Sequence, residues 1–198
     1  MGFFKEFKLN ETLEQNLLEL EYKIPTKIQE SVYFDILNKN DVLGISNTGS
    51  GKTLAYLIPI LQKLTNIETT NTQVIILAPT KELLEQIYKN TIDLSKNLNI
   101  TINIIYGTKE NVEVLCNSNI LIISPIKLKK LLIEKKLSLE NLQYIVFDEV
   151  DELLKSNFLN EQTKKYFKFK KTVSKLFFSA TIDDKLKNLS KELQENSK

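Results

Sequence analysis

The sequence lacks several residue types on which catalytic and metal sites often depend. Its 198 residues include no histidine, no arginine and no tryptophan, and a single cysteine, Cys116. Histidine catalysis and histidine metal ligation are therefore excluded, and one cysteine excludes both an intramolecular disulfide and a cysteine-built zinc site. Without arginine, the chain supplies neither an arginine finger nor a bidentate guanidinium clamp of its own.

Glycine, proline and long apolar runs are also scarce. The 5 glycines and 4 prolines exclude collagen-like and linker-type chains, while 42% hydrophobic and 26% charged residues are values of globular proteins. No apolar run reaches the ~20 residues of a membrane span, and the N-terminus lacks the apolar core of a secretory signal. We therefore expect an intracellular protein with no membrane partner, cytoplasmic by default, with an organelle or the nucleus left open.

Six short apolar runs have the length and the β-branched or aromatic content of strands. Their apolar character is continuous more than alternating, which fits strands buried on both faces of a parallel sheet. The runs are Val42–Ile45, Val74–Leu77, Ile102–Ile105, Ile120–Ile123, Tyr144–Phe147 and Leu176–Phe178.

Segments of helical spacing lie before and between these runs. They are Glu11–Leu20 with Asn10 as its N-cap, a helix from Pro25 and Thr26 to about Leu37, Leu54–Leu64, Glu82–Leu94, Ile126–Ile133 and Asn160–Phe167. The alternation predicts βαβ units, and therefore an α/β fold with an open, mostly parallel sheet flanked by helices. We expect one domain over 1–198, with a helical region at 1–37, a core at 38–182 and a C-terminal helix or tail at 183–198.

A glycine-rich segment follows the first predicted strand and opens a helix, which is the context that a phosphate-binding loop requires. Glycines let backbone N–H groups turn toward phosphate oxygens, and the helix N-terminus adds a favourable field for an anion. We expect Lys52 to reach the β- and γ-phosphates and the Thr53 hydroxyl to hold Mg²⁺. A Gly/Ser turn that caps a helix is the simpler alternative. The segment is Ser46, Asn47, Thr48, Gly49, Ser50, Gly51, Lys52 and Thr53.

Adjacent carboxylates follow the strand predicted at Tyr144–Phe147. At the C-terminal end of this strand, Asp148 can face a phosphate-bound Mg²⁺ while Glu149 faces a water, as in the acidic pair of a P-loop NTPase. A role as helix N-terminal charges is the alternative. The glycine-rich segment favours the nucleotide interpretation, because both features fall at the same edge of the predicted sheet.

With the segments around them, these residues resemble the DEAD-box family of superfamily 2 RNA helicases over nearly the whole chain. The matching segments are Phe4 with Tyr22–Gln29 (Q motif), Ser46–Thr53 (motif I), Ala78–Leu83 (motif Ia), Tyr106–Gly107 (glycine pair), Ser124–Lys127 (motif Ib), Asp148–Asp151 (motif II) and Ser179–Thr181 (motif III). The resemblance implies a RecA-like P-loop NTPase domain that uses ATP and Mg²⁺.

The resemblance also implies a role for each matched position around the nucleotide. Gln29 has a planar amide with one acceptor and two donors, so it can read an adenine edge. Phe4 and Tyr22 are implied to offer an aromatic surface near the adenine, with core packing as the alternative for both. Lys52, Asp148 and Glu149 are implied to be catalytic, with Thr53 and Asp148 holding Mg²⁺ through phosphate and water. The coupling of nucleotide state to RNA work is implied for Asp151, Ser179 and Thr181.

A third group of matched positions is implied to contact the RNA backbone. These positions are Pro79, Thr80, Lys81, Gly107, Ser124, Pro125 and Lys127. Hydroxyl and ammonium donors bind phosphates and not bases, so the expected contacts are independent of sequence. For the lysines, solvated surface charge is the alternative, and a net charge of only +2 gives weak support by itself.

Departures from the family pattern fall mostly at these RNA positions. Lysine replaces the usual arginine at Lys81 and Lys127, which keeps the charge and loses the bidentate fork. Larger residues also stand where the family usually has smaller ones: Leu84 in place of alanine, and Thr108 and Ile126 in place of glycine. The remaining departures are Glu21 in the Q motif, Ser46 in motif I and Val150 in motif II.

We therefore expect the ATP-binding domain of an ATP-dependent RNA helicase. The family's second RecA-like domain, which carries its arginine fingers, is absent from this sequence. The chain alone is expected to bind nucleotide but not to unwind duplexes, whereas RNA-stimulated hydrolysis and local unwinding belong to the two-domain protein. A naturally short adaptor that binds ATP or ADP without unwinding is the alternative. A P-loop ATPase that acts on DNA or protein is a third hypothesis, which the Q motif disfavours.

Overall fold

The structure is a computed structural model, and it describes residues 4–65, 71–107, 117–156 and 172–193. Six strands form one parallel sheet in the spatial order β1-β6-β5-β2-β4-β3. The strands are β1 Val42–Ile45, β2 Val74–Leu77, β3 Ile102–Ile105, β4 Ile120–Ile123, β5 Tyr144–Phe147 and β6 Ser174–Ser179. The predicted fold class is confirmed, and only β6 is longer than its apolar run.

Seven α-helices and one 3-10 turn at Phe4–Phe7 are described with the sheet. The helices are α1 Glu11–Glu19, α2 Lys27–Leu37, α3 Lys52–Leu64, α4 Lys81–Leu94, α5 Pro125–Ile133, α6 Val150–Lys155 and α7 Asp184–Leu193. The sequence did not predict α6 or the 3-10 turn, and the helix expected at Asn160–Phe167 lies outside the described residues. The division of 1–198 into three regions within one domain stays a prediction.

Each inner strand contributes to two hydrophobic cores, because successive side chains point to opposite faces of a sheet. On β2, for example, Val74 and Ile76 pack in one core, with α1 to α4, while Ile75 and Leu77 pack in the other, with α5 to α7. All four side chains are fully buried. The continuous apolar runs are therefore the sequence counterpart of a sheet covered by helices on both faces.

The parallel strands bring their C-terminal ends to one edge of the sheet. The register pairs Ile45 of β1 with Ser179 of β6, and Leu77 of β2 with both Phe147 of β5 and Ile123 of β4. Every segment that follows a strand therefore begins at nearly the same level. Among the described helices, none has the length and apolarity to cross a membrane.

Gly44 lets β1 pass close to an aromatic ring of β6. A Cβ at Gly44 would lie 2.6 Å from Cε1 of Phe178, its partner in the strand register. The Phe178 ring is fully buried and lies 5.2 Å from the ring of Tyr56, measured between centroids. A Cβ at Gly44 therefore requires this buried ring to move.

We expect Gly44→Ala to lower the free energy of unfolding by about 1–3 kcal/mol, because overpacking forces a side chain off its rotamer. Urea denaturation measures this loss. The control is Phe178→Leu, which removes ring atoms, and the double variant should be less destabilised than the sum of the two single variants. If the two losses in free energy of unfolding were strictly additive, contact with the Phe178 ring would not be the cause of the loss in Gly44→Ala.

Candidate functional site

The loop between β1 and α3 depends on two glycines in the left-handed region. Gly49 has φ +77° and Gly51 has φ +90°, and side chains rarely adopt such values. A Cβ at Gly51 would lie 2.6 Å from Nε2 of Gln29, whereas a Cβ at Gly49 would meet nothing within 4 Å. Gly51 therefore allows α2 to approach the loop, and Gly49 leaves the loop open on its outer side.

The Lys52 side chain lies inside this loop. Its Nζ donates to the carbonyl oxygen of Ser46 at 2.6 Å and to that of Asn47 at 3.1 Å. The hydroxyl of Ser50 is buried and has no hydrogen-bond partner among the described residues. The loop thus carries an ammonium group, an unpaired hydroxyl and a helix N-terminus, which are the donors that phosphate oxygens require.

Gln29 joins the start of α2 to the loop. Its Oε1 accepts from the backbone N–H of Thr26 at 2.9 Å, and its Nε2 donates to the carbonyl oxygen of Gly51 at 3.2 Å. One amide hydrogen and further acceptor capacity are left for a ligand. The hydrogen bond between Gln29 and Thr26 could be expected from the sequence, because Thr-x-x-Gln at the start of a helix is a capping pattern.

The two aromatic residues predicted near the base occupy different environments. Tyr22 is 40% exposed and lines the cavity above the loop together with Ile24. Phe4 is 5% exposed, packs edge-on against Phe7 at 5.7 Å between ring centroids, and does not line that cavity. Phe4 therefore packs in the core, and of the two predicted aromatic side chains Tyr22 is the one that lines the cavity.

Asp148 and Glu149 follow β5 in contrasting backbone and solvent environments. Asp148 is 2% exposed, and its Oδ2 accepts from the Tyr56 hydroxyl at 2.9 Å while its Oδ1 accepts from the Glu149 N–H at 3.0 Å. Burial raises the pKa of Asp148 to about 6, against the opposing effect of these two hydrogen bonds.

Glu149 lies at the N-cap of α6 with φ 50° and ψ 52°, and this left-handed backbone conformation costs about 1–2 kcal/mol for a residue with a side chain. Burial, followed by the Asp151 charge, raises the pKa of Glu149.

One cavity of about 380 Å³ brings these groups together. Its lining includes Gln29 and both Asp148 and Glu149, together with the loop residues Thr48, Gly49, Gly51, Lys52 and Thr53. The sequence did not identify a further wall, which α4 supplies at Leu83, Gln86 and Asn90. Their spacing places them on one helix face, and this was the only available signal.

The polar residues in the cavity fit a magnesium nucleotide. Within the described part of the chain, no group of three or more His, Cys, Asp or Glu residues can hold a metal ion. Mg²⁺ binds typically through one or two carboxylates, waters and substrate phosphates, and does not need a cage made only of protein. Thr53 and Asp148 both line this cavity, so they are suited to share such an ion with bound phosphates.

The end of β6 connects the loop to the start of α6. The Thr181 hydroxyl donates to Oδ2 of Asp151 at 3.0 Å, and the Ser179 hydroxyl donates to the carbonyl oxygen of Thr181 at 2.7 Å. The backbone N–H of Ser46 donates to the carbonyl oxygen of Ser179 at 3.1 Å. The three residues predicted to couple nucleotide state to RNA work are therefore in contact with one another and with the loop.

The residues predicted to contact RNA follow β2, β4 and β3. Thr80 caps α4 by accepting from the Leu83 N–H at 3.2 Å. Ser124 is the N-cap residue of α5 after β4 but makes no side-chain cap hydrogen bond, and Pro125 is the first residue of that helix. Gly107 follows β3, whereas Thr108 and Cys116 lie outside the described residues. Because the sheet order is β1-β6-β5-β2-β4-β3, the nucleotide residues occupy one half of the edge and these residues the other.

Lys81 does not stand free on this edge. Its Nζ lies 3.6 Å from Oε1 of Glu85 and 5.3 Å from the ring centroid of Tyr106, whose hydroxyl donates to the same carboxylate at 2.7 Å. Where the nucleotide half of the sheet edge meets the other half, β5 is bonded to β2: the Asp148 N–H donates to the Leu77 carbonyl oxygen at 2.9 Å.

A family model described as DEAD/DEAH box helicase matches residues 26–189. The chain belongs to this family. A probable ATP-dependent RNA helicase, ddx52 of Dictyostelium discoideum, is 35% identical over 195 residues, which are 96% of this chain and 29% of that protein. The ATP-dependent RNA helicase dbp10 of Schizosaccharomyces pombe is 33% identical over 193 residues, or 95% of this chain and 23% of that protein.

Solved DEAD-box structures have the same fold. A DEAD box protein from the hyperthermophile Methanococcus jannaschii superposes with a TM-score of 0.90 at 30% identity, over 99% of this chain and 55% of that one. The RNA-helicase Prp28 from Chaetomium thermophilum, bound to ADP, gives 0.87 at 26% identity, over 100% of this chain and 50% of that one. The chain thus spans about half of these structures and 29% or less of the two curated relatives.

The raised pKa of Asp148 predicts a gain in stability when its charge is removed. Because the folded state holds the proton more tightly, the stability that this carboxyl contributes is present at low pH and is lost as the pH rises through about 6. We expect Asp148→Asn to have a free energy of unfolding about 1–3 kcal/mol above that of the wild type at pH 7.5, and only slightly above it at pH 4.

Urea denaturation at the two pH values measures both differences. The control is Glu140→Gln, which neutralises an exposed carboxylate and should change little. Equal stability of Asp148→Asn and the wild type at pH 7.5 would contradict the prediction.

Proposed function

We propose that this chain is the ATP-binding domain of an ATP-dependent RNA helicase. The observation that carries the proposal is the single cavity in which the loop residues Lys52 and Thr53, the acids Asp148 and Glu149, and the amide of Gln29 meet. The printed names of the relatives, and the ADP bound to one structural neighbour, support the same assignment.

Each residue of the cavity has a proposed role that follows from its chemistry. Lys52 exchanges its two carbonyl acceptors for the β- and γ-phosphate oxygens, which are stronger partners for an ammonium group. Thr53 and Asp148 hold Mg²⁺, which neutralises phosphate charge when bound. Glu149 orients the attacking water, and its raised pKa makes it a better proton acceptor. Gln29 and Tyr22 select and support the base.

The other half of the edge is proposed to contact the RNA backbone. Its donors are the hydroxyls of Thr80 and Ser124 and the ammonium groups of Lys81 and Lys127, which are suited to phosphates. In a longer protein, a second RecA-like domain in cis would close on this edge, and RNA-stimulated hydrolysis and local unwinding would result. We include an intracellular location in the same proposal, because a helicase needs ATP and RNA at the place where it acts.

An adaptor that binds nucleotide without turnover is less well supported. Glu149, whose proposed role is in hydrolysis and not in binding, lines the same cavity as Lys52, Thr53 and Asp148, and a site that only binds nucleotide does not require it. The two curated relatives described above also carry the name ATP-dependent RNA helicase, which favours the helicase domain over the adaptor.

Nucleotide selectivity tests the proposed base contact. Gln29→Glu keeps the oxygen that accepts from Thr26 but removes the amide donor, so the ratio of MgADP to MgGDP affinity should fall at least tenfold. Lys52→Ala should weaken both nucleotides at least tenfold, because it removes a phosphate contact and not a base contact. Titration calorimetry measures both affinities for the wild type and for each variant, and Lys63→Ala, at the far end of α3, is the control. Unchanged selectivity in Gln29→Glu would contradict the base contact.

A charge reversal tests the proposed RNA contact. Lys127→Glu should weaken binding of fluorescent single-stranded RNA at least threefold at low salt, to the same extent for poly-U and poly-A, since phosphates carry no base identity. The matched control is Lys63→Glu, which makes the same charge change in the last turn of α3, at the opposite edge of the sheet. Fluorescence anisotropy gives the affinities. Equal losses in the two variants would indicate a general charge effect and contradict the contact.

A further inference from the structure

Three tyrosines are fully buried within the described part of the chain, and one of them has an unusual hydrogen-bond partner. The hydroxyl of Tyr33 donates to the carbonyl oxygen of Phe7 and that of Tyr144 to the carbonyl oxygen of Ile36, at 3.0 and 3.1 Å. A buried tyrosine hydroxyl usually finds such a partner. The Tyr56 hydroxyl instead donates to a carboxylate, Oδ2 of Asp148, at 2.9 Å.

Tyr56 also lies next to the other group that we propose holds magnesium. It follows Thr53 by three residues on α3, which places both side chains on the same helix face. One phenol oxygen therefore connects the helix that carries Thr53 to the strand end that carries Asp148.

The ring of Tyr56 is held in place independently of this oxygen. It is fully buried and packs at 5.2 Å between centroids against Phe178, which fills the space beside Gly44. The hydroxyl is thus a fixed donor, and a fixed donor determines the orientation of the carboxylate that it meets.

We propose that Tyr56 is a positioning residue for the magnesium nucleotide. Of the side chains described, only that of Tyr56 donates a hydrogen bond to Asp148, and the remaining donor is the adjacent Glu149 N–H. Together they fix the plane of the carboxylate, whose unused lone pairs would then be available to hold Mg²⁺ together with Thr53. This inference rests on the nucleotide site proposed above.

Tyr56→Phe removes one oxygen atom and keeps the ring. Asp148 then loses its side-chain donor and can rotate away from the metal. We expect the enhancement of ADP affinity by Mg²⁺ to fall about tenfold, the lower end of what is typical when the partner of a metal ligand is removed. The affinity for ADP without metal should stay within about twofold, because Tyr56 is not among the residues that line the cavity.

The experiment compares ADP binding in excess MgCl₂ and in EDTA by titration calorimetry, with the wild-type chain, Tyr56→Phe and Tyr144→Phe. Tyr144→Phe is the matched control, because it also removes one buried hydroxyl but leaves the candidate site intact. It should keep the full Mg²⁺ enhancement. Retained metal-free affinity in Tyr56→Phe also shows that this variant is folded.

Three results would overturn the inference. A full Mg²⁺ enhancement in Tyr56→Phe would show that Asp148 needs no phenol, and an equal loss with and without metal would make Tyr56 a packing residue. Absence of ADP binding by the wild-type chain would overturn the proposed nucleotide site itself, and is therefore distinct from the other two.

Discussion

The parallel alignment of all six strands is the constraint on which the site depends. It brings the ends of β1, β5 and β6 side by side, although they are far apart in the chain, and it does the same for β2, β3 and β4. The acids and the glycine-rich loop meet because their strands are separated by β6 alone, whose own end is bonded to both. No single segment could form this site, since each contributes only one wall.

The site is formed at the expense of local stability. Asp148 is a carboxylate withdrawn from water, and Glu149 adopts a backbone conformation that glycine would adopt more easily. Neither feature improves packing. They are tolerated because two fully covered cores lie beneath them, and this is the usual relation between a rigid scaffold and a strained functional turn.

The sequence predicted the strands well and the cavity only in part. Strands buried on both faces leave a continuous apolar signal, so five of the six bounds agree with the structure. The short helix α6 left no such signal, because its first turn is acidic and it spans only Val150–Lys155. The wall formed by α4, the burial of Phe4 and the bond from Tyr56 to Asp148 depend on how distant segments pack. Ninety-two residues separate that last pair, and no local pattern records such a contact.

The hydrogen bond from the Asp148 N–H to the Leu77 carbonyl oxygen lies at the centre of the sheet edge and links two walls of the cavity. It joins the peptide of the buried acid to a residue three positions before Thr80, which caps α4. The same chain enters α4, one face of which is itself a wall of the cavity. The backbone of the buried acid and the backbone that leads to this wall are therefore tied together by a direct bond between β5 and β2, with no side chain in between.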